Sequence, residues 1–122
     1  MKYIFYHWKT VQKRLSKKHI LLLLDYDGTL TPIVETPGKA LLPKRTKDLL
    51  YLLSRKNDCT VAIISGRALK NLKDLVSLKN IIYSGNHGFE LEGPQIKFKR
   101  TISAEYSAII KQIKAALTKK LS

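Results

Sequence analysis

The chain has 122 residues, 44% of them hydrophobic, which suits one small folded domain and argues against a disordered chain. Lysine and arginine number 23 against 9 acidic residues, a formal net charge of +14 that favours anionic ligands such as phosphorylated metabolites. The basic residues are scattered with little aromatic interleaving, which does not favour nucleic acid as a partner. No apolar stretch has the length of a membrane span and no signal peptide is predicted, so we expect a cytoplasmic protein without membrane association.

The first elements are a helix and a strand. Tyr3, Tyr6, Val11 and Leu15 fall roughly at helical spacing, which predicts a short amphipathic helix in the first stretch of the chain. Residues 20–24 are then continuously apolar and are followed by Asp25. Such a run is typical of a strand buried on both faces of a parallel sheet.

The middle of the chain alternates between helices and apolar strands. A Thr-, Pro- and Gly-rich loop over 27–43 precedes a helix whose predicted inner face comprises Leu49, Leu50, Leu52 and Leu53. A second strand over 60–64, a helix with Leu69, Leu72 and Leu75 turned inward, and a short strand over 81–83 follow. This alternation predicts an α/β fold with a parallel sheet and right-handed crossovers.

The last third of the chain has a different pattern. Residues 89–98 alternate and contain Gly93-Pro94, which predicts a β-hairpin. A basic helix is predicted after it, with one apolar stripe that comprises Ile102, Tyr106, Ile109, Ile113, Leu117 and Leu121.

Two carboxylates, Asp25 and Asp27, stand at the end of the first strand, where open α/β sheets bind ligands. One carboxylate can attack a phosphoryl group while the second protonates the leaving oxygen and later activates water. Mg²⁺ suits carboxylate and carbonyl oxygens and would offset the charge of nucleophile and phosphate. The alternative is an ordinary Asp-Gly turn after a buried strand.

The second strand ends in Ser65-Gly66-Arg67, which we expect to open the next helix. The Ser65 hydroxyl, with backbone N–H groups at a helix N-terminus, could hold a phosphate oxygen. Arg67 could add positive charge or fix the start of the helix. The structural alternative is that Ser65 serves only as a helix N-cap.

The third strand ends in Asn86-His87-Gly88, whose polar side chains offer the donors and acceptors that a polyhydroxyl substrate requires. His87 could instead be a turn residue that forms local hydrogen bonds. Glu90 lies close by in sequence and could accept a sugar hydroxyl or simply belong to the surface.

Three segments, LLLLDYDGTLTPIVETPGKALLP, VAIISGR and YSGNHGFELEGP, together resemble the haloacid dehalogenase superfamily and, within it, the trehalose-6-phosphate phosphatase family. The resemblance implies a Rossmann-like parallel sheet with helices on both faces, followed by the start of an α/β cap. It implies that residues 1–88 are the N-terminal part of the core and that residues 89–122, the hairpin and final helix, begin the cap.

The resemblance also implies the reaction, Mg²⁺-dependent hydrolysis of trehalose 6-phosphate to trehalose and phosphate through an aspartyl-phosphate. Asp25 would be the nucleophile and a Mg²⁺ ligand. Asp27 would be the general acid/base, with its backbone carbonyl on the metal. The substrate would be bound by Ser65, Gly66, Arg67, Asn86, His87, Gly88 and Glu90.

The sequence departs from the superfamily pattern after the hairpin. The lysine motif and the acidic G-D-D-type pair are absent, and the last acidic residue is Glu105. We therefore expect an N-terminal portion whose missing C-terminal half is a candidate partner. Each missing electrostatic group is worth on the order of 3 kcal/mol, so we expect the isolated chain to be weakly active or inactive. The alternatives are another sugar phosphatase of the superfamily and a catalytically silent basic fragment that binds a partner chain.

Overall fold

The computed structural model describes residues 3–121, and its elements follow the predicted order. A 3-10 turn, Ile4–His7, is followed by α1 (Trp8–Leu15), β1 (Ile20–Asp25), α2 (Lys44–Ser54), β2 (Cys59–Ile64), α3 (Leu69–Val76), β3 (Ile82–Gly85), β4 (Glu90–Gly93), β5 (Ile96–Lys99) and α4 (Ala104–Leu121). The α/β class is confirmed, because the switch between helical spacing and continuous apolar runs marks each of these elements in the sequence.

One five-stranded sheet of order β1-β2-β3-β4-β5 organises the chain. The first three strands are parallel, as predicted, and β4 and β5 form the predicted antiparallel hairpin. β4 also pairs antiparallel with β3, so the hairpin continues the core sheet. The division of the chain after residue 88 stays a prediction, and hydrogen bonds of the sheet cross it.

The main hydrophobic core lies on one face of the sheet. Leu50 of α2 and Leu72 and Val76 of α3 are buried in the same cluster as Val61 and Ile63 of β2. Both crossover helices therefore cover the same face, as expected for right-handed connections between strands in sequential order. Leu69 and Leu75 pack against this cluster, which confirms the predicted inner face of α3.

The other face of β1 is open, which contradicts the prediction that this strand is buried on both faces. Leu22 and Leu24 pack against the core, whereas Leu21 and Leu23 are 56% and 60% exposed. Successive side chains of a strand point to opposite faces, so one face alone is covered here. An apolar run shows that both faces can be buried but does not supply the element that covers each of them.

The predicted inner face of α2 was partly wrong. Leu50 is buried and Leu53 packs against the core, but Leu49 and Leu52 are more than half exposed. Four leucines in five positions extend around more of the helix than a single sheet can cover. The position of the sheet decides which of them are buried.

The predicted basic helix is present as α4, but its apolar stripe is uncovered. Tyr106, Ile113 and Leu117 are each more than half exposed, and none of the helix residues is buried. Within residues 3–121, no helix combines the length and the apolar character needed to cross a membrane.

Gly85 allows β3 to lie directly against the start of α3. A Cβ atom at this position would lie 2.6 Å from the backbone N and Cα of Leu69. We expect Gly85→Ala to lower the free energy of unfolding by roughly 1–3 kcal/mol, measured by urea denaturation, because backbone atoms cannot rotate away as a side chain can. Gly38→Ala is the matched control, since a Cβ there meets nothing within 4 Å. Equal effects of the two substitutions would contradict this packing.

Candidate active site

The ends of the three parallel strands lie level with one another. Asp25 pairs with Ile64, and Ile64 pairs with Ser84. Beyond the strands, the Tyr26 N–H donates to the Ile64 carbonyl at 3.2 Å and the Ser65 N–H donates to the Ser84 carbonyl at 2.9 Å. The structure thus brings the three predicted clusters to one edge of the sheet, where open α/β sheets bind ligands.

The loop after β1 folds back on itself. Gly28 has φ +86°, a conformation that glycine adopts at little cost, and its N–H donates to the Thr31 carbonyl at 2.9 Å. The N–H of Thr31 donates to the Tyr26 carbonyl at 3.1 Å. This tight turn explains the glycine of the motif.

Asp25 presents an exposed carboxylate at this edge. The Thr29 hydroxyl donates to its Oδ2 at 3.2 Å. That single long contact orients the side chain without neutralising its charge, so the carboxylate is available to a metal ion or an electrophile.

Asp27 is held by Arg67 in a two-pronged ion pair. The Arg67 Nε donates to Asp27 Oδ2 at 2.8 Å and Nη2 donates to Oδ1 at 2.6 Å. Parallel bonds from one guanidinium to one carboxylate are strong and geometrically specific. The Arg67 hydrogen bond is the largest cause that lowers the pKa of Asp27 below its ordinary value, and burial opposes it.

Ser65 is buried and lies in the loop between β2 and α3. The helix α3 begins later in the chain than we expected. The helix starts at Leu69, with Ala68 as the residue before it, so the prediction that Gly66-Arg67 opens the helix was wrong. The Ser65 Oγ accepts the backbone N–H of Arg67 at 3.1 Å. Ser65 is therefore not the N-cap of α3, and this hydrogen bond fixes the loop that presents Arg67.

The loop after β3 is bonded to the loop after β2. Asn86 donates its N–H to the Arg67 carbonyl at 2.7 Å, and His87 donates its N–H to the Ser65 carbonyl at 3.2 Å. Asn86, His87 and Gly88 have φ values of +50°, +55° and +88°. Asn86 and His87 therefore adopt the left-handed conformation, which non-glycine residues rarely populate. Such conformations occur preferentially at functional sites.

The imidazole of His87 lies over Gly66. A Cβ atom on Gly66 would come within 2.5 Å of His87 Cε1, so a larger residue at this position would displace the ring. The structure therefore places Gly66 as the surface on which His87 rests. His87 itself is exposed.

Glu90 is engaged within the protein. Its Oε2 accepts the Asn86 Nδ2 donor at 2.7 Å, and its Oε1 lies 2.9 Å from Lys99 Nζ. The hydrogen bond from Lys99 is the largest cause that lowers the pKa of Glu90. Glu90 thus orients the side chain of Asn86, and its contact with a sugar stays a prediction.

Sequence reasoning missed three residues that hold this site together. Tyr26 lies under the Arg67 guanidinium, with 5.4 Å between the ring centroid and Cζ, and Asn71 Oδ1 accepts Arg67 Nη1 at 3.2 Å. Thr29 was the third, through its bond to Asp25. Strand alternation could have revealed Tyr26. If Asp25 and Asp27 lie on one face of the sheet, the residue between them lies on the opposite face, toward the core.

The Asp25 carboxylate fits the Mg²⁺ site that the resemblance implies. Mg²⁺ is commonly held by one or two protein carboxylates, with water and substrate phosphate completing its shell. The exposed carboxylate of Asp25 suits this role, whereas both side-chain oxygens of Asp27 are taken by Arg67. Across residues 3–121, no group of three or more His, Cys, Asp or Glu side chains could hold a metal ion. Any Mg²⁺ here would therefore draw further ligands from elsewhere.

The match to known proteins covers most of the chain. The family profile described as trehalose-phosphatase matches residues 23–122, a span that includes all three loops of the site. The chain belongs to the trehalose-phosphatase family. It is 38% identical over 77 residues to trehalose-phosphate phosphatase B of Arabidopsis thaliana, which covers 63% of this chain and 20% of the relative. The chain thus spans about a fifth of the length of the curated relatives that it matches.

Solved structures agree with this family. Trehalose-6-phosphate phosphatase of Aspergillus fumigatus superposes with a TM-score of 0.64 at 31% identity, over 78% of this chain and 34% of that one. The C-terminal domain of the Candida albicans enzyme gives a TM-score of 0.72 at 27% identity, over 92% of this chain and 40% of that one. The haloacid-dehalogenase-like fold predicted from the motifs is confirmed, and the family is one of phosphatases.

Proposed function

We propose that this chain carries the nucleophile-bearing part of a Mg²⁺-dependent phosphatase that hydrolyses trehalose 6-phosphate to trehalose and phosphate. The observation that carries this proposal is the convergence of the Asp25, Ser65 and Asn86 loops at one sheet edge. It is supported by family membership and by relatives and solved neighbours named as trehalose-phosphate phosphatases. A cytoplasmic location remains part of the proposal.

In the proposed reaction Asp25 Oδ attacks phosphorus, the bond from phosphorus to the sugar oxygen breaks, and an aspartyl-phosphate forms. Asp27 gives its proton to the departing alkoxide oxygen. It then accepts a proton from the water that attacks the aspartyl-phosphate, which returns Asp25 and releases phosphate. Mg²⁺, held by the Asp25 carboxylate and the backbone oxygen of Asp27, would offset the negative charge of nucleophile and phosphate.

The ion pair at Asp27 bears on its two roles. Arg67 lowers the pKa of Asp27, so the resting geometry favours the ionised carboxylate that a general base requires. The acid role requires a protonated carboxyl close to the leaving oxygen. Asp27 must therefore leave Arg67 before the first step.

The substrate is proposed to lie across the loops after β2 and β3. Ser65 would hold the transferring phosphoryl group, and Gly66 leaves room for the ring of His87 beside it. Asn86 and His87 would meet sugar hydroxyls, with Glu90 orienting Asn86. Because these contacts fit any phosphorylated polyol, another sugar phosphatase activity of the same superfamily is the alternative.

We expect little turnover from the isolated chain, because the sequence contains neither the lysine motif nor the acidic pair of the superfamily. Two missing electrostatic groups at about 3 kcal/mol each correspond to a rate roughly 10⁴-fold lower. Phosphate release from trehalose 6-phosphate with Mg²⁺ is the test, beside Asp25→Asn. Any release should disappear in Asp25→Asn and persist in Asp48→Asn, an exposed carboxylate on α2. Release that survives Asp25→Asn would contradict the assigned nucleophile.

A second candidate function is that of a catalytically silent basic module that binds a partner chain, such as the missing C-terminal half. The open face of the sheet, with Leu21, Leu23 and Ile64 exposed, favours it. Co-elution of the chain with the C-terminal part of a full-length relative, lost in Leu23→Asp, would support this function. Failure of the two chains to associate would contradict this second function. The phosphatase proposal is tested separately, by the assay of phosphate release.

A further inference from the structure

The guanidinium of Arg67 is fixed on several sides. Its Cζ lies over the ring of Tyr26, which is fully buried and donates its hydroxyl to the Ala40 carbonyl at 2.8 Å. Nη1 is bonded to Asn71. The backbone of Arg67 is also tied, through its N–H to Ser65 and through its carbonyl to the loop after β3. Only 11% of the Arg67 side chain is exposed, so the group is preorganised.

Asp27 is the more exposed partner of this pair. Its side chain is 44% exposed and stands on the loop that follows β1. Both members border an open cleft of about 560 Å³, whose lining also includes Ile33, Val34, Pro37 and Asn71. The cleft therefore gives a small anion access to the Asp27–Arg67 pair.

We propose that Arg67 is a preformed binding site for phosphate oxygens, which the Asp27 carboxylate fills when no ligand is bound. A phosphate and a carboxylate each present two oxygens to the fork of a guanidinium, so one can replace the other with the same geometry. The replacement keeps the positive charge paired, whereas separation of the pair without a new anion would leave Arg67 uncompensated in a largely buried setting.

The exchange links ligand entry to the release of Asp27. A phosphate that takes Nε and Nη2 frees both oxygens of Asp27, which then stand beside the bound phosphate. Arg67 is a positioning residue for Asp27 in this arrangement. The consequence for turnover rests on the proposed phosphatase function, but the anion site itself does not, because phosphate binding requires no reaction.

Binding of inorganic phosphate, measured by titration calorimetry on the full chain without metal, tests the exchange in a double-mutant cycle. Asp27→Asn removes the competing carboxylate, and Arg67→Met removes the site. We expect Asp27→Asn to tighten phosphate binding roughly 10- to 100-fold when Arg67 is present, which is about 1.4–2.8 kcal/mol at about 1.4 kcal/mol for each factor of ten. In the Arg67→Met background we expect the same substitution to change binding less than about threefold, since only general charge repulsion remains.

Two results would overturn the proposal. Equal tightening by Asp27→Asn in both backgrounds would show that Asp27 merely repels the anion, and absence of phosphate binding in Asp27→Asn would show that Arg67 is no anion site. If Arg67→Met does not fold by circular dichroism, Arg67→Lys replaces it, because lysine keeps the charge and loses the fork and should give an intermediate coupling. Coupling together with phosphate release that survives Asp25→Asn would contradict the proposed function and spare the anion site. Release that is lost in Asp25→Asn, without coupling, would do the reverse.

Discussion

Replacement of Tyr26 by alanine is expected to lower the free energy of unfolding by roughly 3–5 kcal/mol. The side chain is fully buried in the core, and it also supports the Arg67 guanidinium from below. Removal of the ring would leave a cavity and an unpaired carbonyl at Ala40, which now accepts the tyrosine hydroxyl at 2.8 Å. A domain of this size is stable by only about 5–15 kcal/mol, so a loss of this magnitude is a large fraction of the total.

The effect can be measured as a shift of the urea midpoint at unchanged slope. Tyr106→Ala is the control, because Tyr106 is 64% exposed on α4 and its loss opens no cavity. Tyr26→Phe separates the two contributions, since it keeps the ring and should cost about 1 kcal/mol for the lost hydrogen bond. If Tyr26→Ala were as mild as Tyr106→Ala, the ring would not join the site to the core.

Leu72→Ala is expected to lower the free energy of unfolding by roughly 2–5 kcal/mol. Leu72 is fully buried on α3, in the cluster that also contains Val61 and Ile63 of the neighbouring strand. The substitution removes apolar contacts and leaves a cavity that a helix fixed against a sheet cannot fill completely.

Leu52→Ala on α2 is the matched control for this cavity, because Leu52 is 59% exposed. Surface substitutions of this kind usually change stability by no more than about 0.5 kcal/mol. Similar midpoints for the two variants would mean that the single-sided core described here does not carry the stability of the fold.

Much of the fold could be predicted from local patterns. The continuous apolar runs that form β1 and β2, the alternation across the hairpin and the inward leucines of α3 each specify an element through the spacing of its own residues. The predictions that failed depended on neighbours. Whether Leu21 or Leu52 is buried depends on what lies against it, and neither position carries that information in its own surroundings.

The candidate site divides in the same way. Asp25, Asp27 and Ser65 could be selected from the sequence, because each follows an apolar strand and parallel strands end at one edge. The pairing of Asp27 with Arg67 joins residues 40 positions apart and depends on the length and turns of the loops that carry them. The contacts of Tyr26 and Asn71 with Arg67 likewise depend on how the loops are positioned.

The sequence by itself determined the order of helices and strands, the family, and the residue types that phosphoryl chemistry requires. These are properties of periodicity and of short motifs, which a linear chain carries directly. Only the tertiary structure decided that one face of the sheet is covered and that α3 begins at Leu69. It also decided that the Asp27 carboxylate is paired with the guanidinium of Arg67. Such facts arise from contacts between distant segments, whose geometry is fixed when the loops and the core pack together.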